Sequence, residues 1–216
     1  MNIILIGPPG SGKGTQSDKL AIRFNLVKIS TGELLRDEIK KKTTLGLKIK
    51  STIETGSLAP DEITNKLIES KVSNKTYLNK LIFDGYPRNL SQAKSLDILL
   101  KKNNQVISLV LNLKVDENII IKRILGRQIC SKCGLTFNEF FNPSNPEIHK
   151  CDNKYLNKRS DDNEKAIKNR FSVYNNDTYP ILSYYKECNL LHEINGMNKI
   201  DQIYGEICQI INLMDT

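Results

Sequence analysis

The feature that most restricts this chain is a short apolar run that ends in glycines. Asn2 to Ile6 reads as a buried strand, and Gly7-Pro8-Pro9-Gly10-Ser11-Gly12-Lys13-Gly14-Thr15 follows it. An amphipathic segment, Lys13 to Phe24, comes next, with Leu20, Ala21 and Phe24 on one face. A strand, a glycine loop and a helix in that order put backbone N–H groups at a helix N-terminus, where they wrap phosphate oxygens, and Lys13 adds a mobile positive charge. The spelling matches GxxxxGK, with Gly14 where a plain phosphate loop has Ser or Thr and Thr15 one residue later. ATP or GTP is the expected ligand.

Four further runs read as strands: Leu26 to Ile29, Leu81 to Asp84, Val106 to Leu111 and Leu190 to Ile194. Helical stretches lie between them, among them Asp61 to Val72, with Ile63, Leu67 and Ile68 inward, Asp116 to Leu125 and Asp161 to Tyr174. This alternation predicts an α/β fold with five buried parallel strands covered on both faces. Such a sheet binds ligands at the C-terminal ends of its strands, near a switch point in strand order. Two stretches break the pattern. Residues 30–59 are helical with no strand, and residues 127–162 are rich in Cys, Asn, Pro and Gly with no helical period. Both read as excursions from the sheet, the second containing the turn chemistry of Asn142-Pro143-Ser144-Asn145-Pro146.

No apolar run approaches the roughly 20 residues that span a bilayer. Met1 to Ile6 lacks the basic flank of a secretory signal, so a cytoplasmic protein without a membrane partner is expected. The 32 Lys and Arg against 24 Asp and Glu leave +8, which suits anionic ligands without choosing among them. With 27 Ile, 25 Lys and 23 Asn the composition is skewed, and a single lysine says little. Arginine escapes the skew. Only seven occur (Arg23, Arg36, Arg88, Arg123, Arg127, Arg159, Arg170), so each carries more information. The five cysteines, an odd number, argue against a disulfide framework and for reduced thiols or a metal.

The loop GPPGSGKGTQ resembles the nucleoside monophosphate kinases, and the segments after it resemble, within that group, the long-lid bacterial type of the adenylate kinase family. Ile29-Ser30-Thr31-Gly32-Glu33-Leu34-Leu35-Arg36 is similar to the family's ISTGDxxR, and Phe83-Asp84-Gly85-Tyr86-Pro87-Arg88 with Gln92 to its DG[FY]PR loop. Gly126-Arg127 with Cys130, and Arg159-Ser160-Asp161-Asp162 through Arg170, match the two ends of the long lid. The resemblance covers nearly the whole chain. It implies a P-loop, doubly wound, five-stranded parallel sheet with a core domain of residues 1–29, 60–126 and 163–216. It also implies a helical AMP-binding lobe at residues 30–59, a lid at 127–162, and a monomer that moves a phosphoryl group reversibly from Mg-ATP to AMP, giving two ADP.

Such a reaction crowds phosphate oxygens into one cleft and needs charge stabilisation and alignment rather than a covalent step. Arginine, with a planar fork that stays charged, suits the task. By resemblance the ATP site comprises Gly10, Ser11, Gly12, Lys13, Gly14, Thr15, Arg123, Arg127, Thr136, Phe137 and Asn198. The AMP site comprises Thr31, Arg36, Ser57, Leu58, Ala59, Gly85, Tyr86, Pro87, Arg88, Gln92, Arg159 and Arg170. Lys13, Arg88, Arg123, Arg159, Arg170 and Asp84 are the catalytic candidates, and Arg23 alone reads as structural. Thr31 and Gln92 can hydrogen-bond a purine edge, although Thr31 taken alone is an ordinary N-cap. Asp84, at a strand end beside the phosphate loop, can hold Mg²⁺ through water; the plainer alternative is a buried, hydrogen-bonded structural acid. Asp161 and Asp162 either position lid arginines or cap the following helix. Mobile lobes at the two excursions would close over both nucleotides and keep water from the transferable phosphate.

Cys130-Ser131-Lys132-Cys133-Gly134 has the spacing of a tetrahedral zinc knuckle, and Cys151 follows after 17 residues. In zinc-bearing adenylate kinases a fourth ligand, Cys or Asp, comes three residues after the third, and here that residue is Lys154. The site has either shifted to Asp152 or His149, or decayed to three thiols in a lid held by hydrogen bonds and by Phe137, Phe140 and Phe141. A zinc ion at Cys130, Cys133 and Cys151 would be structural, since the chemistry needs no Lewis acid beyond Mg²⁺. Cys188 and Cys208 read as packing residues.

Rival readings differ in what they leave unexplained. A UMP or CMP kinase would share the loop and the arginines but differ at the base pocket and carry a short lid. GTP is an alternative donor, because base selection on that side rests largely on backbone contacts. A nucleic-acid-binding module would use the +8 charge and the cysteine ribbon, but it calls for basic residues interleaved with exposed aromatics, and Trp is absent. A P-loop switch protein leaves the monophosphate motifs without a purpose.

Overall fold

The structure, a computed structural model, describes residues 1–214; Asp215 and Thr216, at the end of the expected core domain, lie outside the described residues. In chain order the strands are β1 (Ile3–Ile6), β2 (Val27–Ser30), β3 (Leu81–Asp84), β4 (Leu109–Lys114), β5 (Arg127–Cys130), β6 (Thr136–Asn138), β7 (Leu156–Asn157) and β8 (Leu191–Asn195). Five of them form one parallel sheet in the order β2-β3-β1-β4-β8, and β6-β5-β7 form a small antiparallel sheet. Leu5 pairs with Asp84 on one side and with Leu111 on the other, so the strand order reverses at β1. The loop that leaves β1 therefore opens at the switch point.

The helices are α1 (Lys13–Arg23), α2 (Thr31–Lys40), α3 (Thr44–Glu54), α4 (Asp61–Val72), α5 (Leu90–Lys102), α6 (Glu117–Leu125), α7 (Glu164–Val173), α8 (Ile181–Glu187) and α9 (Ile200–Met214). Because strand side chains alternate, β1 feeds two cores. Ile4 and Ile6 join Phe83 and Val110 against Leu96 of α5 and Ile181 and Tyr185 of α8. Ile3 and Leu5 join Ile82, Leu109 and Leu111 against Leu20 of α1 and Ile203 and Ile207 of α9. Each such side chain, taken fully out of water, stabilises the fold by about 1.5–3 kcal/mol before entropy is charged against it. Among the described residues, no helix is long and apolar enough to cross a membrane.

Residues 30–59 carry a small core of their own, in which Leu35, Ile49 and Ala59 meet Ile39, Leu45 and Ile53, with Ile63 and Leu67 of α4 as floor. Helices α2 and α3 close up at Gly46, where a β-carbon would sit 2.1 Å from the Glu38 carbonyl oxygen, so only glycine fits. Residues 127–162 differ: none of the four apolar clusters of the described residues draws on them. Phe137 is buried, but Phe140 and Phe141 are 63% and 46% exposed, so the aromatic support expected from those two is absent.

Several elements depart from the sequence reading, most by a single residue at one end. Strand β4 begins at Leu109 rather than Val106, because Val106 is exposed and its carbonyl accepts the Asn2 Nδ2 hydrogen at 2.9 Å. It then continues through buried Asn112, which strand propensity disfavours. Strand β8, expected to be buried, is an edge strand in which only Ile194 is fully covered. Helix α7 starts at Glu164, not Asp161, because its cap is Asn163, whose side chain accepts from the Ala166 N–H at 3.0 Å. Helix α1 stops one residue short of Phe24, which caps it. Cys208 packs in the core as expected, whereas Cys188, in the surface turn that ends α8, is exposed.

Candidate active site

A single cavity of about 810 Å³ opens at the C-terminal ends of β1, β2 and β3, and every residue expected at either nucleotide site borders it. One wall is the phosphate loop. Gly12 precedes α1 at φ 98°, a left-handed conformation that strains any other residue. Lys13 folds back across the loop, its Nζ donating to the carbonyls of Gly7 at 2.7 Å and Pro8 at 2.9 Å. Burial, reinforced by Arg88, Arg127 and Arg170 and opposed by Asp84, pushes the Lys13 ammonium down to about 8. Asp84 lies against the loop: its Oδ2 is 3.6 Å from where a β-carbon on Gly14 would sit.

The opposite wall is arginine. Arg36, Arg88, Arg123, Arg127, Arg159 and Arg170 all border the cavity and none is exposed, whereas Arg23 points to solvent on the far end of α1. Burial lowers Arg159 and Arg170 to about 9, and the neighbouring guanidiniums add to the shift. Two carboxylates hold the cluster together. Asp162 accepts from Arg127 Nε at 2.8 Å and also from its Nη2, with Arg170 Nη1 at 3.6 Å. Asp161 accepts from Arg170 Nη2 and faces Arg36 Nη1 at 3.8 Å. Both side chains are 1% exposed. Of the two roles open to these acids in the sequence, the structure selects the positioning of arginines. Arg159 pairs with no carboxylate among the described residues, and its Nε is buried without a partner, as is Asp161 Oδ1.

On the side of residues 30–59, a polar network fixes Arg88. Gln92 Oε1 accepts from the Arg88 backbone N–H at 2.8 Å, Thr178 Oγ1 donates to the Arg88 carbonyl at 2.8 Å, and Arg88 Nε donates to the Gly85 carbonyl at 2.7 Å. Gln92 Nε2 donates to Asp61 at 2.7 Å, so the structure uses this amide to hold protein together before any base arrives. Thr31 is not a cap: it opens α2, and its hydroxyl donates to the Gly85 carbonyl at 2.7 Å. Asn169 of α7 reaches across to the Thr55 carbonyl at 2.9 Å and Ser57 Oγ at 3.1 Å, joining the walls. At the far end Arg123 donates to the Gly196 carbonyl at 3.0 Å and lies 5.5 Å from the Phe141 ring centroid. Ile119 and Thr178 border the cavity without having been singled out in the sequence; each comes from a stretch with no motif of its own.

In the small sheet, Cys130 and Cys133 form a knuckle: the Gly134 N–H donates to the Cys130 carbonyl at 2.9 Å and the Cys133 N–H approaches Cys130 Sγ at 3.5 Å. Cys151 and His149 complete a cluster whose four ligand atoms all lie within 4.8 Å of one another. Asp152 instead caps the Lys154 N–H at 2.9 Å.

Comparison with known proteins agrees with this geometry. The family model described as adenylate kinase matches residues 5–190. The chain is 45% identical over 213 residues to an adenylate kinase of Pelagibacter ubique (strain HTCC1062), covering 99% of this chain and all of that one. It is 40% identical to one from Enterococcus faecalis and 41% identical to one from Methanothrix thermoacetophila, each over 98% of this chain and 99% of the relative. A P-loop at the switch point of a parallel sheet, a cavity faced by six arginines and a family match over nearly its whole length together show that the chain belongs to the adenylate kinase family.

Proposed function

We propose that the cavity takes Mg-ATP on the side of the phosphate loop and AMP on the side of residues 30–59, and that the chain moves a phosphoryl group reversibly between them, giving two ADP. The observation that carries this reading is the ring of six inward arginines and one half-buried lysine, Lys13, around one cavity, with only a few acids to balance them. Cations held close and partly desolvated repel one another and are lowered in pKa, and a chain of phosphates relieves that repulsion. Lys13 and the loop amides hold the triphosphate. Arg36 and Arg88 hold the monophosphate, and Arg123, Arg127, Arg159 and Arg170 face the group in flight, stabilising charge on its oxygens. Thr136, Phe137, Asn198 and the Arg123 plane border the donor base; Thr31, Ser57, Leu58, Ala59 and Gln92 border the acceptor base. Residues 30–59 and 127–162 act as closing lobes on a core of 1–29, 60–126 and 163–216, and the Asn169 contact is part of the closed state. The same reading makes the enzyme a cytoplasmic monomer whose partners are nucleotides and not nucleic acid.

Adenylate kinases use Mg²⁺ with ATP, and Asp84 beside Gly14 suits a hard ion held through water. The ion would neutralise phosphate oxygens at that wall. Zinc fits the lid. A segment shorter than about 40 residues without an apolar core needs another staple, and three thiols with a buried imidazole supply one. The donor set is structural, since it lies outside the nucleotide cavity but for its contact with Phe137.

The test is ADP formation from Mg-ATP with AMP, CMP or UMP at equal concentration. Rapid turnover with AMP alone is expected. Preference for a pyrimidine would overturn the acceptor-base assignment, and turnover with none would overturn the reaction. Replacing ATP with GTP checks the donor side in the same assay.

A further inference from the structure

We propose that His149 is the fourth ligand of the lid's metal, and that through its ring the ion holds Phe137 in the ATP wall of the cleft. This rests on the zinc reading above and adds to it a ligand, and a connection to substrate, that spacing alone does not give.

The segment 143–150 is otherwise a surface turn, yet it buries its histidine, 4% exposed, and leaves Ile148 59% exposed. Burying imidazole in preference to an isoleucine is the reverse of what hydration favours. Moreover, His149 Nε2 is buried with no hydrogen-bond partner among the described residues, which costs free energy unless a ligand takes it up. A ring nitrogen of His149 and the sulfurs of Cys130, Cys133 and Cys151 lie within 4.8 Å of one another. Zinc bonds of about 2.0–2.3 Å set tetrahedral ligands about 3.3–3.8 Å apart, so a small contraction seats the ion.

Neither the residue at the family's position nor the other candidate, Asp152, can take this place. Lys154 carries a cation that pairs with Asp152 at 3.3 Å and lies 5.3 Å from the Tyr155 ring centroid. Asp152 spends its carboxylate on Lys154 and is more than half exposed. The ligand order is thus Cys-x2-Cys followed by His-x-Cys, with the histidine before the third cysteine rather than a ligand after it.

The His149 ring also meets Phe137 edge to face, with centroids 5.0 Å apart and planes at 61°. Phe137 is 4% exposed, lies in the middle of β6 and borders the nucleotide cavity beside Thr136. An ion that fixes the imidazole therefore fixes one edge of that wall. Among the described residues, the acceptor side, built from residues 31–59 and 85–92, has no such connection.

The experiment measures zinc content, zinc affinity by chelator competition, the Co²⁺ d–d and thiolate charge-transfer bands, and separate KM values for ATP and AMP. It is run on the full-length wild type and on His149→Ala, His149→Cys and Asp152→Ala. One zinc per wild-type chain is expected. His149→Ala should lose more than the roughly 10–100-fold that an outer-shell change costs, with altered cobalt bands. Its KM for ATP should rise several-fold while that for AMP holds. His149→Cys should recover tight zinc with a four-thiolate spectrum yet keep the raised KM for ATP, because no ring faces Phe137; it also separates ligand loss from lid unfolding. Asp152→Ala should match wild type. Tight zinc and an unchanged cobalt spectrum in His149→Ala overturn the ligand, and equal KM rises for both nucleotides overturn the link to Phe137. A wild type that takes up no zinc overturns the metal reading itself, whatever the variants do.

Discussion

The phosphate loop offers backbone N–H groups fixed between β1 and α1, whereas the opposite wall offers six arginine side chains. These are gathered from α2, the turn after β3, α6, β5, the stretch before α7 and α7 itself. The loop is preorganised by chain connectivity and needs only glycines at positive φ, Gly10 and Gly12 among them, and one lysine. The arginine wall has to be held together against its own repulsion, which is why Asp161 and Asp162 are buried among the guanidiniums. One wall is stable without ligand. The other is balanced by acids until phosphates arrive, and that difference can be tested by removing charge from each.

The largest effect is expected where both walls meet the phosphates. Lys13→Ala and Arg88→Ala should each lose about 2 kcal/mol or more of transition-state stabilisation, read as kcat/KM. Wild-type rates in either variant, with the fold intact by circular dichroism, would break the comparison at its base.

Asp161→Asn tests whether the acids hold the arginine wall. Removing one partner of a buried pair strands the other charge, and with arginines still partly hydrated the loss should be about 2–3 kcal/mol of folding stability. Denaturation with and without a bound ATP–AMP bisubstrate analogue discriminates: phosphates take over the orphaned cations, so the deficit should shrink when ligand is bound. An equal deficit in both states would mean that Asp161 does nothing specific to the cation cluster.

How much of this was legible in sequence follows from how local each signal is. The phosphate loop could be read outright, because strand, glycines and helix are contiguous from Asn2 to Phe24. The arginines could be read because they are scarce in a lysine-rich chain. Asp161 and Asp162 were visible with two roles, positioning lid arginines or capping a helix, and the choice between them depends on Arg36 and Arg127, far off in sequence. Thr178 gave no signal, since its partner Arg88 is 90 residues away. His149 was only one of two options until its burial was known. The asparagine bias also concealed helix ends: Asn25, Asn104 and Asn189 take the left-handed positions just after helices that glycine would otherwise mark. The start of β4 was misread because Val106 is apolar yet exposed.

The loop wall also has its own pH signature. Lys13 titrates near 8 in the fold and near 10.5 when exposed. Between those values the unfolded chain binds more protons, so this group makes the fold more stable as pH rises through that window. Function runs the other way. Above about pH 8 the free enzyme loses the ammonium, and kcat/KM for ATP should fall, by up to about tenfold per pH unit. The fall in kcat should come at higher pH, because bound phosphates favour the charged form. Coincident falls in the two profiles would show that the phosphates do not touch Lys13.

Arg23→Ala is the smallest expected effect and the control for the rest. It removes the same unit of charge as any variant of the arginine wall, but from the exposed end of α1, where the guanidinium lies 5.7 Å from the Phe24 ring centroid. Its contribution there is a surface contact and a favourable charge at a helix C-terminus, so stability should change by less than about 1 kcal/mol. Activity should not change at all if the six inward arginines act by contact. If instead Arg23→Ala slows turnover in low salt and the loss disappears in high salt, the long-range field of a +8 chain contributes to capture of nucleotide. Part of any effect at Arg36 or Arg127 would then have to be reassigned from contact to field. Equal rates at both salt concentrations confine the function of arginine in this molecule to the wall.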